Sequence, residues 1–217
     1  NLVDYKIAKT VIHSDVRFTY QTAQDVIDNK KGELSVELLL LDKLSKVLRI
    51  KRQKKGSINF ESTEVKFILD KDNNPIDVYF KESLSTNHLI EEFMLLANKT
   101  VAKHIGFPKK DAKSFVYRAH DLPDTYRIST LNNIVKKFGH SINNETPNKL
   151  SESLNDLLKK VKGKKEQQMV ETLTIRSMAK AVYSTNNIGH YGLAFDYYSH
   201  FTSPIRRYPD LIVHRLL

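Results

Sequence analysis

Between Tyr198 and Arg215 the chain reads YSHFTSPIRRYPDLIVHR, with three aromatics, two histidines, two prolines and three arginines. Packing a core demands no such mixture, so chemistry is to be sought here first. Ser203 before Pro204 has the form of an N-cap with proline at the first helical position. Pro209 has no N–H to give to residue 205, so a helix begun at Pro204 must kink or start again there. Arg206 and Arg207 therefore fall near one or two helix N-termini, where a cation is misplaced by ~0.3–1 kcal/mol. A shared anion removes that penalty, and guanidinium grips phosphate oxygens in a fork. Two partners satisfy the pair: a phosphate, or a salt bridge to Asp210 or another acid.

Seven aromatics lie between positions 183 and 208: Tyr183, Tyr191, Phe195, Tyr197, Tyr198, Phe201 and Tyr208. Beside arginines, aromatic rings can stack the bases of a single strand, although most of these seven suit a core. His190, His200 and His214 lack any spacing characteristic of a metal site, and Ser203 has no evident base-orienting partner. A Ser-His hydrolase and a histidine metal centre are both rejected. Glu91 is the other group of interest. It shares a helical face with Leu95 and Asn98, beside the apolar run Phe93–Ala97. A carboxylate there must find hydrogen-bond donors. Either it is structural, held by backbone or arginine, or it accepts from ribose hydroxyls.

The elements that position these groups follow from periodicity. Residues 7–20 read as a strand running into a helix over 19–28. From Glu33, apolar positions 34, 38, 41, 48 and 36, 40, 44, 47 make a helical stripe that ends in RIKRQKK before Gly56. That basic run is either a solvated helix end or a contact for an RNA backbone. Alternation at Ile58/Phe60, Val65/Phe67/Leu69 and Ile76/Val78/Phe80 around Asp72–Pro75 predicts an antiparallel sheet with a hairpin. Ser85-Thr86-Asn87 caps a helix reaching His104, on which His88, Glu92, Lys99 and Lys103 form a solvated face. A short strand over 115–120 and helices over 124–138, 149–161 and 165–182 complete a helix-rich α+β chain with a small antiparallel sheet.

Lysine and arginine outnumber acids 35 to 25, a formal charge of +10 over 217 residues, which predicts an anionic partner, nucleic acid first. The absence of cysteine excludes disulfides, zinc-thiolate sites and thiol nucleophiles and fits a reducing cytoplasm. No apolar run approaches the ~18 residues of a membrane span. A helical scaffold for protein partners requires an exposed apolar stripe, which the sequence does not display. The chain begins at Asn1 without methionine and stops within a helical pattern, and it reads as a piece of a longer protein.

The segment GHYGLAFDYYSHFTSPIRRYPDLIVHRLL resembles the hallmark of the ribonuclease II / ribonuclease R (RNB) exoribonuclease family, in its bacterial ribonuclease R pattern. HSDVRFTY, GSINFESTEVKF, LIEEFMLLANKTVAKHI and YRAHDLPD also resemble family segments, in the family's order, so the likeness runs along 1–217. The resemblance implies part of a processive 3′→5′ exoribonuclease that hydrolyses single-stranded RNA to nucleoside 5′-monophosphates, cytoplasmic and monomeric. It implies that Arg206 is the catalytic arginine at the scissile phosphate. By the same likeness Tyr20 lies near the 3′ nucleotide, Phe60 stacks the terminal base, Glu91 reads ribose and Arg207 assists with RNA. In the family an aspartate cluster holds Mg²⁺, which polarises the phosphate and activates water. No such cluster occurs here: DKDNNPID and HDLPD look like turns, so no metal ligand is assigned and the piece alone is expected to be inactive. The flanking cold-shock and S1 domains are missing as well. The rival expectation is a non-catalytic, basic RNA-binding module.

Overall fold

A computed structural model describes residues 2–60, 64–81, 83–107 and 114–217. Seven helices and two antiparallel strand pairs follow in order: α1 (Tyr20–Asn29), α2 (Ser35–Lys54), β1 (Glu64–Leu69), β2 (Pro75–Lys81), α3 (Ser85–Gly106), β3 (Tyr117–Ala119), α4 (Thr125–Lys136), α5 (Pro147–Val161), α6 (Gln167–Ser177), β4 (Val182–Ser184) and α7 (Tyr208–Leu216). The helix-rich α+β class expected from periodicity is the one observed. Thr19 caps α1 by accepting from Thr22 N–H, Asp124 caps α4 and Thr146 caps α5 with Pro147 behind it, so each start carries its own chemistry.

The expected strand within 7–20 does not form among the described residues. Its β-branched residues have no partner strand, and an unpaired strand leaves its backbone groups without a ladder. The hairpin is present: β1 pairs with β2 in a register that sets Phe67 opposite Val78, with Asn73 in the left-handed conformation at the turn. Ile58 and Phe60, expected to begin the alternation, lie in no strand, and the side chain of Phe80 lies outside the described residues. The helix expected over 165–182 ends at Ser177, and the chain then turns into β4, which pairs with β3.

Two cores form. One joins α4, α5 and α6 through Ile128, Leu131, Val135, Leu154, Leu157, Val161 and Val170. The other joins the end of α3 to β3 and α7 through Val101, Ala102, Phe115, Tyr117 and Val213. Helix α2 contributes to neither. Asp42, Ser45 and Arg52 are its buried residues, while Val36, Leu40, Leu44 and Val47 face outward. The apolar stripe read from the sequence is therefore real but points away from the described neighbours. The exposed stripe judged absent is present.

Candidate nucleic-acid interface

Helix α3 is the spine of the site. Every third residue along its inner side is buried, and the series alternates polar with apolar: Thr86, Leu89, Glu92, Leu95, Asn98, Val101. Each buried polar group holds another element. Thr86 Oγ1 donates to Tyr20 O at 3.0 Å, and Gln24 Oε1 accepts from Ser85 Oγ and Thr86 N, which joins α1 to the start of α3. Glu92 is 3% exposed and takes Arg52 Nη2 at 2.5 Å. Asn98 Oδ1 accepts from Phe201 N at 2.9 Å, fixing the segment that leads to Arg206. The solvated face expected for His88, Glu92, Lys99 and Lys103 is thus corrected: Glu92 is shut inside, because Arg52 arrives from α2 to neutralise it.

Glu91 sits beside that ion pair but outside it, with its side chain 45% exposed. Its carboxylate meets Arg52 at 3.3 Å, Arg49 at 3.9 Å and His88 at 3.4 Å. Arg49 also donates to Asn59 Oδ1 at 2.9 Å, the neighbour of Phe60. The loop before Phe60 is gripped further by Asn155, which accepts from Asn59 N and donates to Ser57 O, and by Gly192 O, which takes Ile58 N–H. Phe60 is 36% exposed at the end of this braced loop, and Tyr20 is 48% exposed at the first residue of α1. Tyr20, Phe60 and Glu91 are thereby tied to the first half of α3. The basic run RIKRQKK divides: Arg52 turns inward to the carboxylates, Arg49 bridges them to the loop, and Lys54 and Lys55 face solvent.

Arg206 is tied to the spine from farther along. Its anchor at Asn98 lies twelve residues beyond Thr86, about 18 Å along a helix axis. No helix begins at Pro204. Residues 204–206 form a single turn in which Ser203 O accepts from Arg206 N at 3.3 Å and Arg207 N at 3.1 Å. Helix α7 starts only at Tyr208, with Pro209 in its first turn, where its missing N–H costs nothing. Asp210, wholly buried, braces the turn: Oδ1 accepts from Ser203 N and from Arg207 Nη2, each at 2.8 Å. The two arginines therefore part ways. Arg207 takes the salt bridge to Asp210, while Arg206 is exposed with no ion pair to any described residue.

Around this turn the structure adds Arg118 and His120, which the sequence did not single out, and brings them to Tyr183, His190 and His200, which it did. Arg118 on β3 faces Tyr183 on β4 in the strand register, and its guanidinium lies 4.7 Å from the ring centroid. Tyr183 Oη is 2.7 Å from His200 Nδ1. Next to them, His190 stacks on His120 with ring centroids 4.8 Å apart. Burial, then the neighbouring His120, push the His190 pKa down to about 3. These two rings border a cleft of about 620 Å³, whose lining includes Lys55, Gly56, Asp121, Phe195 and Asp196. Lys99 lies 5.0 Å from the Phe195 ring, its pKa lowered by burial and then by Lys55. Of the seven aromatics only Tyr198 is fully buried; Tyr197 and Phe201 flank one core and Tyr191 the other. A contact pairing such as Arg118 with Tyr183 depends on strand register across 65 residues, which no local pattern reveals.

Aspartates in DKDNNPID and HDLPD make local hydrogen bonds. Asp70 accepts from the backbone of Asp72 and Asn74, and the Asn74 bonds hold its pKa below the usual value. Asp121 accepts from Leu122 N, and Asp124 caps α4. Among the described residues no three histidine or acidic side chains converge on one point. These residues do not fit a Mg²⁺ site. No helix among them is long and apolar enough to cross a membrane.

A family model described as RNB domain matches residues 1–217. The chain belongs to the RNB family. The ribonuclease R of Thermotoga maritima is 41% identical across this whole RNB chain, which covers 31% of that protein. That of Aquifex aeolicus is 38% identical, with the same shares. The RNB chain thus spans about a third of the length of the curated relatives it matches. Among solved structures, Mycoplasma genitalium RNase R in complex with ribose methylated single-stranded RNA superposes with a TM-score of 0.80 at 29% identity, covering 93% of this chain and 32% of that one.

Proposed function

We propose that this RNB chain is the RNA-gripping part of a 3′→5′ exoribonuclease that hydrolyses single-stranded RNA to nucleoside 5′-monophosphates. The observation that carries the reading is Arg206: an exposed guanidinium without an ion-pair partner among the described residues, on a turn that Asp210 and Arg207 hold rigid. Such a group is set to meet a phosphate, and a fork gripping the scissile phosphate strengthens as charge redistributes in the transition state. Tyr20 and Phe60 supply rings at the other end of the α3 spine, and Glu91 is an open carboxylate oriented by arginines, suited to accept from a ribose 2′-hydroxyl. Lys55, Lys99 and Lys103 add positive charge that draws a polyanion along the same helix. The similarity to an RNase R solved with single-stranded RNA supports the substrate class.

In this reading Mg²⁺ is held by aspartates elsewhere in the catalytic domain, and the working protein is cytoplasmic and monomeric. The rival, a binding module without chemistry, draws on one observation: the described carboxylates do not converge into a metal site. One experiment separates the two. The full-length protein with Mg²⁺ is expected to release labelled 5′-monophosphates from a uniformly labelled RNA, while residues 1–217 alone release none. If the full-length protein binds the RNA but leaves it intact, the module reading replaces the enzyme reading. Affinity is expected to fall linearly in log–log form with salt, with a slope of about −0.7 per phosphate neutralised on a single strand. A flat response removes the electrostatic argument.

A further inference from the structure

Arg206 does not stand alone at its turn. His200 feels its charge and is fixed on both sides: Ser199 Oγ donates to Val116 O at 2.5 Å, and Phe201 N donates to Asn98 Oδ1 at 2.9 Å. The ring itself packs edge-on against Tyr198, with centroids 5.7 Å apart, and against Tyr183 at 5.6 Å. Tyr183 Oη and His200 Nδ1 are 2.7 Å apart, a hydrogen bond in which the phenol donates when the imidazole carries its proton on Nε2. With Nδ1 accepting, the proton of a neutral imidazole sits on Nε2. Nε2 has no bond to any described residue and is not among the buried atoms left without partners. It is an open donor in a fixed ring.

The surrounding charge says what that donor is for. Arg118, Arg206 and Arg207 all act on this one imidazole, with Asp210 the single acid opposing them. Burial first, and then Arg207, Arg118 and Arg206 against the counter-effect of Asp210, push its pKa down to about 4. A fourth cation is excluded among three guanidiniums, but a neutral N–H is tolerated there. Such a donor, in a field two positive charges in excess, points to an anion.

We infer that His200 is a second phosphate-contacting residue beside Arg206, donating from Nε2 to a phosphate oxygen of the bound RNA, with Tyr183 fixing the tautomer and Arg118 seating Tyr183. The inference rests on the RNA reading of Arg206 and deepens it. Tyr183 and Arg118 are positioning residues in this arrangement; of the three, His200 alone touches the substrate.

The test uses the full-length protein and single-stranded RNAs in which one phosphate at a time is replaced by a neutral methylphosphonate. His200→Ala is expected to weaken binding of the unmodified RNA by about tenfold, the loss of one hydrogen bond to a charged group. At one phosphate position, methylphosphonate should weaken the unaltered protein but not His200→Ala further. His200→Gln, whose amide can still donate, is expected to keep most of the affinity, and Tyr183→Phe to lose part of it without changing the melting temperature. If His200→Ala and every methylphosphonate position act additively while Arg206→Ala shows a coupled position, the inference fails and the RNA reading stands. If neither variant couples to any phosphate, the reading of Arg206 fails with it. A melting temperature lowered in His200→Gln as much as in His200→Ala, with no coupled position for either, also overturns the inference in favour of a packing role.

Discussion

The unit formed by α4, α5 and α6 and the region around α3, where α2 and the segment before α7 dock, are both buried, but the second adds buried polar ties that the first lacks between its helices. The first is closed by leucine, isoleucine and valine, with Leu154, Val161 and Val170 wholly hidden. The second shares the apolar cluster of Val101, Ala102 and Val213 but is also tied by buried polar groups, Arg52 with Glu92, Asn98 with Phe201 N and Asp210 with Arg207. Apolar contact is non-directional, so it holds helices together without fixing where any one atom lies. Hydrogen-bonded charge pairs are directional and cost several kcal/mol when left incomplete, so they fix register. The apolar unit supports. The polar junction aims.

The comparison is broken most sharply at Arg52. Arg52→Ala strands the buried Glu92 carboxylate and is expected to destabilise the protein by about 3–5 kcal/mol in chemical denaturation. Arg52→Met combined with Glu92→Leu should recover most of that, because it removes both desolvation costs together. If the double variant is functionally intact, the polar pair contributes nothing to aim, and the contrast drawn above is wrong. Leu154→Ala in the apolar unit is expected to cost about 2–5 kcal/mol of stability, while RNA discrimination stays unchanged. The two losses overlap in size and differ in kind.

Arg206→Ala sharpens the same contrast from the side of chemistry. The side chain is exposed and makes no ion pair with a described residue, so stability should change by less than about 0.5 kcal/mol. On the proposed exonuclease reading, kcat of the full-length protein should fall by roughly a hundredfold or more, the usual effect of deleting a transition-state donor. Arg206→Lys should restore little, since a point charge does not reproduce the fork. Full activity in Arg206→Lys, or a collapse of the fold in Arg206→Ala, would place Arg206 among the structural arginines with Arg207.

Glu91 tests the border between aiming and supporting. Glu91→Ala leaves Arg52 still paired with Glu92, so only a small loss of melting temperature is expected. Its effect should fall on the ratio of RNA to DNA cleavage rates in the full-length enzyme, which relaxes if the carboxylate accepts from a 2′-hydroxyl. An unchanged ratio with a large drop in melting temperature makes Glu91 part of the ion-pair scaffold.

How much of this was legible in the sequence follows the same division. The α4–α6 helices and the hairpin were readable because apolar periodicity is what builds them. The α2 stripe at Val36, Leu40, Leu44 and Val47 was seen, but its direction was not, because the buried side of that helix is polar. Glu92 was placed in solvent for the same reason: a carboxylate one residue from Glu91 becomes interior only once Arg52 comes from another helix. Pro204 and Pro209 mark the segment that carries Arg206, although they make a turn before α7 rather than a helix start. Arg118, Tyr183 and His200 meet through strand pairing and through hydrogen bonds between distant segments, and no spacing along the chain encodes that.

The smallest effect expected is a pH dependence centred on His190, at the edge of the aiming region. Its ring is stacked on His120, meets Tyr198 edge-on at 5.2 Å, and accepts Leu193 N–H at Nδ1. Burial first, then His120, Arg118 and His200, hold its pKa at about 3 in the folded protein, against ~6.5 for an unperturbed imidazole. Between those values the unfolded chain binds the extra proton and the folded one does not, so stability rises with pH across the window and is flat above it. On acidification from pH 6.5 to pH 5 the loss should reach roughly 1–2 kcal/mol, in keeping with 1.36 kcal/mol per pKa unit. His200, with its pKa held at about 4, acts in the same direction. Melting temperatures of the unaltered protein and His190→Gln between pH 7.5 and 5 check the assignment. The variant should lose less stability than the parent as the solution is acidified, while both respond alike above pH 7. Parallel curves over the whole range would mean that His190 charges freely in the folded protein, and that the ring stack beside the cleft is open to water rather than part of the rigid frame behind Arg206.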